Sequence, residues 1–156
     1  MNEIPADVPP IWIALLVVSA TVLGVVLALP SAPPPDATRV ADSVDEVAAT
    51  DHTAAAAVPI DATAVRLSGN RVGLRGEGGT AHASLQYGPV TPVPRESDLS
   101  AVLHGTPPAD VFDSPSAFRA ALDRARTSDP EWVPAGQEIR IRRVEYGEVS
   151  DVLVGQ

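Results

Sequence analysis

The pattern of apolar and polar positions changes character along the chain, and each change predicts a different element. From Ile11 to Leu29 there is no alternation, and nineteen residues pass without a charge. At a helical rise of about 1.5 Å per residue such a run reaches roughly 28 Å, close to a hydrocarbon core of about 30 Å. It predicts one transmembrane helix over 11–29 behind a short leader, 1–10. The alternative is a signal peptide, whose apolar part is shorter, follows a basic segment and ends at a small-residue cleavage site. Here the leader carries Glu3 and Asp7 and no basic residue, and the one cut with small residues, after Ala32, is flanked by Pro30 and Pro33. The expectation is an uncleaved anchor. Trp12 suits a membrane interface, and Pro30 with Pro33, Pro34 and Pro35 stops the helix.

Residues 30–36 read as a stiff proline spacer that holds a domain off the membrane. Asp36 is placed to cap a helix over 37–50, in which Val40, Val44 and Val47, with Ala37 and Ala48, make one apolar stripe. That stripe either packs on its own domain or packs against neighbouring copies in an assembly. Residues 51–59 read as a connector that could extend the helix by a turn. From Ile60 the period falls to two, and strands are expected near 63–67, 71–75 and 80–87, with turns at "SGN" and "GEGG" whose glycines supply positive φ: a β-meander. The three prolines of "GPVTPVPRESD" exclude a central strand and predict a surface loop. Ser114 as N-cap and Pro115 as first residue open a second helix with Phe118, Ala121, Leu122 and Ala125 inward, ended by Asp129-Pro130. "QEIRIRRVEY" and "VSDVLVG" predict a closing hairpin around Gly147. The fold class expected is α+β: transmembrane helix, amphipathic helix, antiparallel meander, second helix and C-terminal hairpin, with the small soluble domain over 37–156 forming one sheet layer under helix.

Within the apolar run, Ala20, Gly24 and Ala28 recur every four residues and offer a groove where another helix could approach. They and the stripe Val40, Val44 and Val47 are the interface candidates, and the implied partners are the lipid bilayer and either other membrane proteins or further copies of the chain.

Composition sharpens the setting. The net charge is −9, and all 11 basic residues are arginine. An acidic surface stays hydrated where salt is abundant, which points to a halophile, although arginine without lysine also fits a GC-rich genome. The same charge argues against nucleic acid, because "RIRR" at 140–143, the densest basic run, sits between Glu138 and Glu145.

Catalytic chemistry finds little to stand on. There is no cysteine. His52, His82 and His104 lack the close spacing of metal ligands, so no metal or cofactor is expected. Ser84 and Ser100 lack a nucleophile elbow, and "GEGG" lacks the lysine of a phosphate loop. Carboxylate pairs such as Asp45 with Glu46 read as solvated surface, so the chain is read as no enzyme. With aromatic residues at only 4%, the rings suit core and rim, and Tyr87 and Trp132 are the ones expected near an interface.

The phrases "ALPSAPPPDATRVADSVDEVAA", "AVRLSGNRVGLRGEGGTAHASLQYGPVTPV", "LHGTPPADVFDSPSAF" and "RTSDPEW" resemble an uncharacterised family of short haloarchaeal membrane-anchored proteins. The order of elements is also similar to that of pilins and pseudopilins. Two features depart from pilins: the leader has no basic processing site, and the triple proline separates two helices that pilins keep continuous. The resemblance therefore implies an unprocessed structural or assembly component, accessory to a pilus-like or secretion apparatus, with its domain outside the cell. The competing reading is a membrane-tethered binding module that uses loops 88–98 and 105–110.

Overall fold

The computed structural model describes residues 8–27 and 32–156, with side-chain surroundings for 12–23 and from Ala32 onward. Two compact units result, divided between Ser31 and Ala32.

The first unit contains α1 (Val8–Leu27). Its described side chains are all exposed, Trp12, Leu16 and Leu23 among them. Among the described residues no helix is long and apolar enough to cross a membrane; side chains are described over only about 18 Å of α1. The expected span 11–29 and its stop at Pro30 run past the described residues, as does most of the expected leader.

The second unit opens on the proline segment, which is less of a free spacer than expected. Pro35 is buried, and a Cβ added at Gly76 would meet its ring at 3.4 Å. A Cβ at Gly78 would collide with the carbonyl oxygens of Ala32 and Pro33. The turn glycines thus make room for the incoming chain, and the domain begins at Ala32 instead of at residue 37.

Asp36 caps α2 (Ala37–Ala48) by accepting a hydrogen bond from the Arg39 amide at 2.9 Å. The apolar stripe is consumed at once: Val40 and Val44 are fully buried, and Val47 nearly so, in the domain's own core. Val40, Val44 and Val47 are therefore not an assembly face. Each such burial stabilises the fold by roughly 1.5–3 kcal/mol.

Beyond α2 the connector expected over 51–59 is instead β1 (Ala55–Pro59), paired antiparallel with a late strand. A run of four alanines carries little strand preference of its own; the strand forms because that partner offers a free edge and Val58 gains a place in the core. The meander follows as expected: β2 (Ala64–Ser68), β3 (Arg71–Gly76) and β4 (Gly79–Ser84). Gly79 uses a φ of +119°, whereas Gly69 of the "SGN" turn does not need positive φ.

The proline-rich stretch is more structured than a surface loop. Val90, Thr91 and Val93 are buried, and β5 (Thr91–Pro92) forms a two-residue parallel pairing at a sheet edge, the one place in a sheet where proline is tolerated. Two short helices follow, α3 (Asp98–Leu103) and α4 (Pro108–Val111), neither of them expected. Next comes α5 (Pro115–Thr127), capped by the Ser114 hydroxyl and with the expected inward stripe Phe118, Ala121, Leu122 and Ala125. After β6 (Val133–Pro134) the chain closes with β7 (Glu138–Tyr146) and β8 (Val149–Gly155), the expected hairpin.

These strands form two four-stranded sheets, β1-β7-β8-β5 and β4-β3-β2-β6, where one layer was expected. One core lies around α2, joining Val65, Val72 and Leu74 of the meander to Ile139, Ile141, Val152 and Val154 of the hairpin. A second core lies on the opposite face of β7-β8, where α3 and α5 pack on Val144, Val149 and Leu153. Burial on both faces explains why β8 reads as a nearly continuous apolar run.

The hairpin turn depends on Gly147, whose φ of +61° is left-handed and whose missing Cβ leaves room for Pro115 Cγ, 2.9 Å from where that atom would stand. Gly147→Ala is expected to cost about 1–2 kcal/mol from backbone strain alone, read as a lower urea midpoint with an unchanged slope.

Candidate binding surfaces

The expected interface residues part company in the structure. Ala20 is exposed on α1, Gly24 lies within the same helix, and Ala28 lies outside the described residues. Val40, Val44 and Val47 are core, as described above. His52, His82 and His104 are all exposed and sit on separate segments, after α2, on β4 and after α3. Among the described residues no group of three or more histidine, aspartate or glutamate side chains is arranged to hold a metal ion.

Several polar residues take structural roles that periodicity did not suggest. Asp45 accepts hydrogen bonds from the backbone amides of Gln86 and Tyr87 at 3.0 Å, tying α2 to the chain leaving β4. It is not merely solvated surface. Within "RIRR", Arg142 donates to the Val102 carbonyl at 2.7 Å and Arg143 to the Ala48 carbonyl at 2.9 Å, so two of its arginines tether helix ends. Asp151, only 6% exposed, accepts from the Thr91 hydroxyl at 3.0 Å and from Arg126 Nη2 at 2.5 Å, while Arg126 Nε donates to Thr91 Oγ1 at 2.9 Å. This closed network pins α5 and β5 to β8.

Two features face outward with the make-up of binding surfaces. The first is an apolar cleft of about 280 Å³ between the sheets, lined by Leu67, Val93, Ala125 and Val133, with Arg95 and Gln156 at its polar side. Arg95 Nη2 donates to Gln156 Oε1 and to the Pro134 carbonyl, both at 2.7 Å, and the Gly136 amide donates to the same Gln156 oxygen. Val93, Pro94 and Arg95 come from the segment 88–98 singled out in the sequence, whereas the segment 105–110 does not reach this cleft. An apolar wall with a few fixed polar groups is the usual make-up of a small-molecule or peptide site.

The second feature is an aromatic and cationic cluster on the outer face of the meander. Trp132 is half-buried, with the Arg75 guanidinium 4.4 Å from its ring centroid and the His82 ring at 5.9 Å. Tyr87, 59% exposed, is the other ring expected at an interface. Arg66, Arg71 and Arg75 form no contiguous basic run in the sequence. The period of two, which places all three on one side of the meander, was the available signal.

No curated protein and no solved structure matches this chain. One family model does, over residues 3–144, which runs from before α1 into β7 and stops short of the Gly147 turn and β8. The chain therefore belongs to the Family of unknown function (DUF7283).

Proposed function

We propose that this chain is a non-enzymatic, membrane-anchored structural or assembly component, with α1 in a bilayer and the domain from Ala32 held at its outer surface. The observation that supports this most directly is the exposure of α1: Trp12, Ile13, Leu16, Val18 and Leu23 each leave more than half of their surface uncovered. A helix apolar on every side is stable only inside protein or inside lipid. In the sequence, the uncharged run 11–29 has the length of a span, and the acidic, lysine-free composition suits a haloarchaeal surface. The sequence order of apolar helix, amphipathic helix and meander is what an accessory role in a pilus-like or secretion apparatus rests on.

With the valine stripe of α2 buried, association through the helices falls to the apolar run 11–29, where Ala20, Gly24 and Ala28 recur every four residues in the sequence. The chain is expected to sediment with membranes and to resist alkaline extraction. Gly24→Leu should lower recovery of co-purifying membrane proteins several-fold without releasing the chain from the membrane. Recovery of the chain in the soluble fraction would overturn the anchor.

A second reading, a membrane-tethered binding module, is favoured by the cleft at Leu67, Val93 and Val133. Partners retained at full yield by the Gly24→Leu protein would select it.

A further inference from the structure

We infer that the outer face of the meander carries an oxyanion site, a recess that takes a phosphate or sulfate group. The inference goes beyond the anchoring and assembly reading and does not depend on it.

The strand register builds the site. Gly73 pairs with Arg66 on β2 and with His82 on β4. Arg71 and Arg75 lie two residues before and after it on β3, so all four project from the same face as the place where Gly73 has no side chain. With strands about 4.8 Å apart and alternate residues about 6.8 Å apart, the four surround Gly73 within reach of one another. Val65, Val72 and Leu74, the intervening positions, face the core.

The bare backbone at Gly73 is needed. A Cβ there would stand 2.8 Å from His82 Nδ1 and 3.1 Å from the edge of the Trp132 ring. Glycine lets the imidazole and indole lie against the strand and leaves a recess of about 190 Å³ beside them, lined by Arg66, Ser68, Asn70, Arg71, His82 and Pro130. Its lining contains no carboxylate. The Ser68 hydroxyl donates to the Arg71 carbonyl at 3.2 Å and lies 3.4 Å from Asn70 Oδ1, and the Asn70 amide is among the groups that line the recess.

Charge makes the arrangement unusual for this chain. At a net charge of −9 carboxylates are abundant. The ion pairs among the described residues, however, are Arg126 with Asp151 and Arg140 with Glu138. Arg66 and Arg71 are exposed and have no carboxylate partner among the described residues. Two guanidinium forks, an amide and an imidazole converging on one recess match the several acceptor oxygens of a tetrahedral oxyanion. Trp132 holds Arg75 over its face and packs against His82, a lining residue of the recess, so its emission reports on the site through His82.

The test uses the full chain in detergent with Trp12→Phe, which leaves Trp132 as the sole tryptophan. Inorganic phosphate and inorganic sulfate are titrated against chloride at matched ionic strength while Trp132 emission is followed. A saturable change with phosphate or sulfate and none with chloride is expected. Arg66→Gln with Arg71→Gln should weaken it about tenfold or more, the loss of charge-assisted hydrogen bonds. Gly73→Ala, which pushes His82 and Trp132 off the strand, should abolish saturation while far-ultraviolet circular dichroism stays unchanged. Because the two arginines are exposed, their replacement tests the site even if Gly73→Ala fails to fold. Glucose 6-phosphate provides a further arm: tighter binding than inorganic phosphate identifies an esterified group as the occupant, and equal binding identifies the free ion. A linear response shared with chloride, or saturation unaltered by the double arginine replacement, would overturn the site.

Discussion

Arg126→Met is expected to destabilise the domain by about 3–5 kcal/mol, because it leaves the Asp151 carboxylate buried without its counter-charge. The Asp151 side chain is only 2% exposed, against 35% for Arg126. Arginine could therefore recover water if the pair were broken from the other side, whereas aspartate cannot. The methionine keeps an unbranched aliphatic side chain and removes both the 2.5 Å contact to Asp151 and the 2.9 Å contact to Thr91. Thr91, itself fully buried, and the Val152 amide, which donates to Asp151 Oδ1 at 2.7 Å, would be left as the carboxylate's company. Since small domains are held by about 5–15 kcal/mol in total, the variant should show a much lower urea midpoint. Adding Asp151→Asn should restore part of the loss, since the neutral amide needs no counter-charge. A double variant no more stable than Arg126→Met alone would show that packing, not the uncompensated charge, dominates.

Phe118→Ala should cost a similar amount, about 3–5 kcal/mol, for a different reason: transfer free energy is lost and a cavity is left behind. Phe118 is fully buried in the core between α5 and the β7-β8 hairpin. Its ring lies 5.3 Å from Phe112 and 6.3 Å from Tyr146, tilted by 53° and 57°, so these ring–ring contacts are lost with it. Urea unfolding with an unchanged slope and a lowered midpoint would confirm a local packing defect. A loss below about 1 kcal/mol would mean that the site collapses around the alanine.

What was legible in the sequence were the elements whose signals are local. Asp36 and Ser114 cap helices because a short oxygen-bearing side chain can reach an amide three residues on, wherever the helix is later packed. The α2 and α5 stripes, the meander strands and the turn at Gly147 follow from period and from backbone freedom in the same way. The sequence also shows, without any fold, that residues 11–29 are uncharged and that the chain is acidic with arginine as its only basic residue type.

What only the tertiary structure decided were features whose energy comes from distant partners. Three alanines became part of β1 because β7, about eighty residues later, had an open edge. A proline-rich stretch entered a sheet as β5 because Val90, Thr91 and Val93 found burial there. Asp45, Asp151 and Arg143 look alike in sequence to solvated charges, and their roles appear only once Gln86, Arg126 and Ala48 are brought beside them. The cationic recess is an intermediate case: alternation put Arg66, Arg71 and His82 on one side of their strands, but only the register across three strands placed them around Gly73. Side-chain period is a property of one segment and can be read from it, whereas pairing, burial and charge compensation belong to two segments at once and exist only after folding.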